Sequence, residues 1–224
     1  MPIASTIFPD NDGVVYKFST DTWANNRKAT SGTLNTTSSY YVQNSHTSGR
    51  GGDTYQIGRY FLEFDTSNIN NTLSHASLNI YGNSLGTLDV ILLKSDQTGA
   101  ISTADYNNID GAAFPLGVSN GAGAGTMNIA AVTIYANEVT TWSTSGYNDI
   151  TLNAQALADM RDDSTVYIAL VNFDYDLKDV EPTDATGRNG LYYTNYTGTS
   201  RDPYIDYTLA TVTTDNSIFF GTNF

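Results

Sequence analysis

Asp174, Asp176, Asp179, Glu181 and Asp184 crowd one short stretch, DYDLKDVEPTD, just after a strand-like run. Carboxylates on a loop, with backbone carbonyls beside them, are the oxygen ligands that hard cations take. Asp174, Asp176, Asp179 and Glu181 are therefore the candidate metal ligands, and a structural Ca²⁺ is the candidate cofactor. No organic cofactor is implied. Asp10-Asn11-Asp12-Gly13 forms a second oxygen-rich turn. Neither stretch has the EF-hand spacing D-x-[DN]-x-[DN]-G-x5-E, and a solvated acidic loop is the competing reading.

Two carboxylates at a fixed separation could also serve a glycosidase. With 23 acidic residues in the chain some pair always exists, so that pattern carries no signal. His46 and His75 are the only histidines, and cysteine is absent. Thiol nucleophiles, zinc-thiolate sites and disulfides are excluded. No nucleophile, base and orienting group fall into a recognisable spacing, so the expectation is a protein that is not an enzyme.

Aromatic residues offer different chemistry. Sugars stack their C–H faces on rings, while Asn, Asp and Arg bond the hydroxyls. Trp23, Trp142, Tyr147, Tyr175 and Tyr196 sit in or near loops or at outward strand positions, and are the candidate glycan-binding residues. Trp23 and Trp142, flanked by Thr, Ser and Asn, read as the best exposed. The competing reading is that most of the 16 tyrosines are strand residues of a core or a subunit interface.

The elements that must position these residues are mostly strands. GVVYKFST (13–20), SSYYVQN (38–44), RYFLEFD (59–65), HASLNIYG (75–82), VTIYA (132–136), YNDITL (147–152), GLYYTNY (190–196) and PYIDYTL (203–209) are β-branched, aromatic or alternating. Ala76, Leu78 and Ile80 share one face, as do Ile205, Tyr207 and Leu209. TLDVILLKS (87–95) and TVYIALVNF (165–173) are apolar on both faces, which predicts central strands. NAQALADMRDD (153–163) has Asn153 as N-cap and good helix formers after it, which predicts one short helix. HTSGRGGD (46–53) and SNGAGAGT (119–126) are Gly-rich but lack the features of phosphate loops. Many short strands and one helix predict an all-β fold, an antiparallel β-sandwich of jelly-roll type. The 224 residues suit one domain at 12–209, with an N-terminal arm at 1–11 and a C-terminal tail at 210–224.

Three stretches carry a family resemblance. DGVVYKFSTDTWANNRKATSG (12–32) resembles the opening strand and loop of DNRLRE-type domains. GRYFLEFDTSNI followed by LSHASLNIYG is similar to that family's "R-x-x-L-x-F-D-L-S…I-x-x-A-x-L-x-L-Y" pair. TVYIALVNF and then GLYYTNYTGTSRDPYIDYTL resemble its closing strands. Together they span 12–209. Tyr196 and Thr197 stand where the family has an acidic residue, residues 98–146 have no counterpart, and 174–188 looks inserted. The resemblance implies a non-catalytic jelly roll of the carbohydrate-binding kind, found in phage structural proteins and secreted polysaccharide-associated proteins. It implies that RYFLEFD is a core strand and that Asp65-Thr66-Ser67 is the corner that begins a crossover.

Bulk properties narrow the partners. Net charge is −13 with only ten Lys plus Arg, which disfavours nucleic acid and anionic lipid. No stretch approaches a membrane span, and MPIASTIFPDNDG lacks the regions of a Sec-type signal peptide. The tail ATVTTDNSIFFGTNF is too apolar for a free end, so Ile218, Phe219, Phe220 and Phe224 are candidate assembly residues. The expectation is a virion structural protein: a capsid decoration, head-fibre or tail component. It would contact other virion subunits, form a homo-oligomer and bind surface polysaccharide, without nucleic-acid or membrane contacts. The alternative is a carbohydrate-binding module of a secreted, extracellular polysaccharide-acting protein.

Overall fold

The computed structural model describes residues 4–110, 132–183 and 186–211. These build the expected antiparallel β-sandwich. One layer, called here the open layer, runs β1 (Ala4–Ile7), β11 (Tyr204–Leu209), β6 (Leu73–Gly86), β8 (Tyr147–Thr151). The other, the covered layer, centres on β5 (Thr54–Asp65). On one side β5 pairs with β2 (Asn11–Ser19), which pairs with β3 (Thr33–Asn35). On its other side lie β4 (Ser39–Thr47) and then β9 (Thr165–Asn172), which pairs with β7 (Val90–Lys94). Strand β10 (Thr186–Tyr192) pairs with both β4 and β6 and so stitches the layers together, with a register shift between Asn189 and Gly190. Residues 4–7 of the expected N-terminal arm form the edge strand of the open layer.

The main core lies between the layers. Tyr60, Leu62 and Phe64 of β5 face Ala76, Leu78 and Ile80 of β6, with Ile150 and Ile205 beside them. Helix α2 (Ala154–Asp162), inside the expected 153–163, adds Ala156 and Met160 to this core. A second apolar cluster occupies the opposite face of the covered layer, where Ile57, Phe61, Ile91, Leu93, Ala169 and Val171 pack. Helix α1 (Trp23–Arg27), a 3-10 turn over Thr103–Asn107 and a π-helical turn over Phe173–Leu177 cover it. Both faces of this layer are thus dry, and that explains why TLDVILLKS and TVYIALVNF lack alternation. Those three helical turns join the single helix expected from the sequence. VTIYA makes only isolated bridges, Ile134 to Leu93 and Ala136 to Leu152.

The corner after RYFLEFD is the passage from the covered layer to the open one. Asp65 accepts the Ser67 N–H at 2.9 Å, Thr66 Oγ1 donates to Asp163 O at 2.7 Å, and Ile69 N–H closes the turn onto Thr66 O at 2.8 Å. Its hydroxyls and carboxylate satisfy the backbone where pairing stops. Among the described residues, no helix is long and apolar enough to cross a membrane.

Candidate functional site

Among the described residues, no other element covers the outer face of the open layer, and its residues follow from strand parity. Ala76, Leu78 and Ile80 point inward, so Ser77, Asn79 and Tyr81 point outward. Register then sets Tyr147 opposite Tyr81, Asp149 opposite Asn79, and Tyr204 opposite Asn79 from the other side. The result is a row of rings across β11, β6 and β8. Ring centroids are 6.1 Å apart for Phe8–Tyr204, 5.1 Å for Tyr204–Tyr147, 5.1 Å for Tyr147–Tyr81 and 5.9 Å for Tyr81–Tyr192. Tyr196 continues it at 4.4 Å from Tyr192. Phe8 is 51% exposed and the five tyrosines are half-buried.

The row is held in place. Tyr147 Oη donates to the carbonyls of Ser200 and Asp202 at 3.2 and 3.1 Å, and Tyr81 Oη to Ser145 O at 2.8 Å. Neighbouring rings meet near edge-on, at 79° for Tyr81–Tyr147 and 70° for Tyr147–Tyr204, a favoured arrangement of aromatic quadrupoles. Burial, then the neighbouring Tyr204, Asp202 and Tyr81, push the Tyr147 hydroxyl up. Burial, with Asp206 and Asp149, does the same to Tyr204. Both hydroxyls stay protonated well above neutral pH. Hydrogen-bonding groups flank the rings: Asp149 and Asp206 are exposed, and Asn79 Nδ2 donates to Asp206 Oδ1 at 2.8 Å. Arg201 lies at the far end, its guanidinium 4.7 Å from the Tyr192 centroid, 5.1 Å from Tyr196 and 5.3 Å from Tyr81.

Of the glycan candidates, Tyr147 and Tyr196 belong to this row. Trp23 does not, and its expected exposure is corrected: it is 5% exposed, packed 6.0 Å from the Tyr55 ring, with its indole N–H donated to Asp179 Oδ1 at 3.2 Å. Trp142 is half-buried against the main core and donates to Gly190 O at 3.1 Å. Its ring sits where a Cβ on Gly86 would come within 3.0 Å, so the bare glycine makes room for it. Tyr175 wedges between the two apolar clusters. Tyr81, Tyr192, Tyr204, Phe8 and Arg201 were not singled out by the sequence. Strand parity could have exposed the tyrosines, but not their adjacency across strands that are far apart in the chain.

The four metal candidates do not converge. Asp176 is fully buried and accepts two bonds from Arg59, at 2.7 and 2.8 Å. Asp179 receives Trp23 and lies 3.7 Å from Arg27, while Glu181 accepts the Tyr55 hydroxyl. Asp174 bonds Lys178 at 3.1 Å. Asp174 does gather with two acids the sequence did not mark, Asp89 and Glu138, their carboxylate oxygens within 4.8 Å of one another. Burial, then the two neighbouring acids, raise Glu138, and the Lys178 ammonium partly offsets them. That ammonium already supplies the local counter-charge. In the second oxygen-rich turn, Asp12 is turned inward, accepting from Tyr60 Oη at 2.5 Å and Thr194 Oγ1 at 2.6 Å. Asp184 and the assembly candidates Ile218, Phe219, Phe220 and Phe224 lie outside the described residues.

Among the described residues, Ser77 and His75 come closest to a hydrolytic pair, with Oγ 3.1 Å from Nε2. Ser77 is 1% exposed, the two are neighbours on one strand face, and no carboxylate bonds the ring. The contact lacks both an orienting group and a cleft. No protein-family model matches the chain, and no curated protein matches it.

Proposed function

We propose that the chain is a non-catalytic glycan-binding β-sandwich, with its ligand lying along the outer face of the open layer. The observation that carries this is the row Phe8–Tyr204–Tyr147–Tyr81–Tyr192–Tyr196, pinned by hydrogen bonds and bordered by the exposed Asp149 and Asp206. Apolar ring surface takes the C–H faces of sugars, and the polar border takes hydroxyls. Successive rings turn by 53–79°, so they offer no flat platform. That geometry suits a single soluble chain rather than a crystalline polymer face.

The proposed setting is a virion surface, as a decoration, head-fibre or tail component that uses the row on host glycans. Its support is the absent cysteine, the Thr-, Asn-, Gly- and Tyr-rich composition and the apolar tail, all read from sequence. A screen of immobilised soluble and crystalline polysaccharides tests the reading. Binding to a soluble glycan that Tyr147→Ala weakens about tenfold or more, with the fold intact by circular dichroism, is expected. Undiminished binding by Tyr147→Ala, or preference for the crystalline polymer, would overturn it.

A further inference from the structure

The row is not chemically uniform, and its end at Arg201 sets it apart. The chain has 23 acids against ten Lys plus Arg. Among the described residues, five of those ten, Arg27, Arg59, Lys94, Arg161 and Lys178, pair with a carboxylate, and of the other five only Arg201 has its guanidinium against three rings. Among the described residues no carboxylate pairs with Arg201, and its one hydrogen bond runs from Nη1 to Tyr196 Oη at 3.3 Å. Three tyrosine rings hold the guanidinium in place. Among the described residues, Nε–H and the Nη2 donors have no protein acceptor. A stacked guanidinium with free in-plane donors matches a planar or tetrahedral oxyanion in bidentate fashion, which a sugar hydroxyl cannot reproduce.

Resting on the glycan reading above, we infer that Arg201 selects glycans bearing an anionic group, a carboxylate or a sulfate, seated at the Tyr81–Tyr192–Tyr196 end of the row. Asp149 and Asp206 occupy the stretch around Tyr204, where they accept hydroxyls and repel a second anion. The favoured ligand is therefore a mainly neutral glycan with spaced acidic residues, not a dense polyanion. The protein's −13 charge acts against polyanions at long range, whereas a contact at Arg201 lies within the screening length of about 8 Å at physiological salt.

A glycan array carrying uronate, sialate, sulfated and matched neutral members tests this at physiological salt. Titrations of glucuronoxylan and its carboxyl-reduced form, on the native chain, Arg201→Gln and Tyr81→Ala, complete it. The native chain is expected to prefer the acidic glycan about tenfold. Arg201→Gln should erase that preference, bringing acidic and neutral forms to equal affinity, while Tyr81→Ala should weaken both. Selective binding of sulfated over carboxylated members supports the inference and assigns the anion to sulfate. Equal affinity for acidic and neutral forms, or an unaltered preference in Arg201→Gln, overturns it and leaves the glycan reading standing. No binding by the native chain to any member overturns both.

Discussion

Arg59 and Arg201 are both arginines set against tyrosine rings, and they are opposites. Arg59 is fully buried beneath the covered layer. Nε and Nη2 engage both oxygens of Asp176, Nη1 donates to Tyr106 O, and Nη2 also reaches Arg27 O at 3.0 Å. Its guanidinium lies 4.3 Å from the Tyr106 centroid. Burial works against the charge, yet Asp176 and Tyr106 hold the Arg59 pKa above its ordinary value. Arg201 has a comparable aromatic setting and almost none of the acceptors. A buried cation must be satisfied by the protein, or the fold does not tolerate it. A half-exposed one can wait for a ligand. Satisfaction, rather than residue type, separates the two roles.

The sharpest way to break this contrast is to remove Arg59. Arg59→Met leaves Asp176 buried with only the 3.4 Å contact to Arg27, and should cost about 3–5 kcal/mol in urea unfolding. Arg59→Met with Asp176→Leu should recover part of that loss, since no carboxylate remains stranded. A single variant as stable as the parent would show that the network is not what holds the covered layer's turns in place.

Lys94 and Asp159 form an intermediate case, paired at 2.8 Å with the lysine side chain 32% exposed. Burial pushes Asp159 upward, but bonds from Lys94, Tyr135 and Gln155 outweigh it and leave its pKa below the ordinary value. A depressed carboxylate stabilises the fold above the ordinary aspartate pKa of about 4 and loses that contribution as pH falls through the lowered value. Asp159→Asn should therefore cost about 1–2 kcal/mol at pH 7, less than the buried pair because solvent screens the lysine. The same variant should lose less stability than the parent on acidification below about pH 4. Parallel acid limbs in the two urea series would contradict the assignment.

The fold was legible where one strand's own pattern decides it. Alternation in HASLNIYG and PYIDYTL set Leu78, Ile80 and Ile205 inward, and doubly apolar TVYIALVNF marked the layer covered on both faces. Asn153 announced α2, whose first N–H groups, of Gln155 and Ala156, it accepts at 3.0 Å. Helix α1 was hidden because WANNR has weak helical character; Thr22 caps it, and burial of Trp23 against Tyr55 secures it from a distance. Asp176 looked like a loop ligand because its partner, Arg59, is 117 residues away. The aromatic row was half visible, since parity turns Tyr81, Tyr147 and Tyr204 outward. Its continuity depends on β11 and β8 flanking β6, an order that no local pattern encodes.

On the open face, Tyr81→Ala should weaken glycan binding about tenfold or more, equivalent to about 1.4 kcal/mol. Tyr81 touches Tyr147, Tyr192 and Arg201 and so joins the two halves of the row. Phe8→Ala, at the exposed end with one ring neighbour, should weaken it less. Equal losses would mean that the row does not act as one surface.

The smallest effect expected is on stability, at Arg201 itself. Among the described residues no carboxylate pairs with it, so its removal strands none and breaks one hydrogen bond to a half-buried Tyr196 hydroxyl that water can replace. What remains is cation–π attraction to three rings, at about 0.5–1 kcal/mol for a solvent-exposed site and not additive over rings that share one cation. Packing of the arginine stem over the tyrosines adds a little, and glutamine keeps part of it. Arg201→Gln should accordingly shift the unfolding free energy by about 1 kcal/mol or less, several-fold below Arg59→Met. Urea midpoints for the two variants, measured side by side, decide the matter. A loss at Arg201 that rivals the loss at Arg59 would mean that the guanidinium holds the 193–203 loop onto β10 as a structural strut. The open face would then have no cation to spare for a ligand.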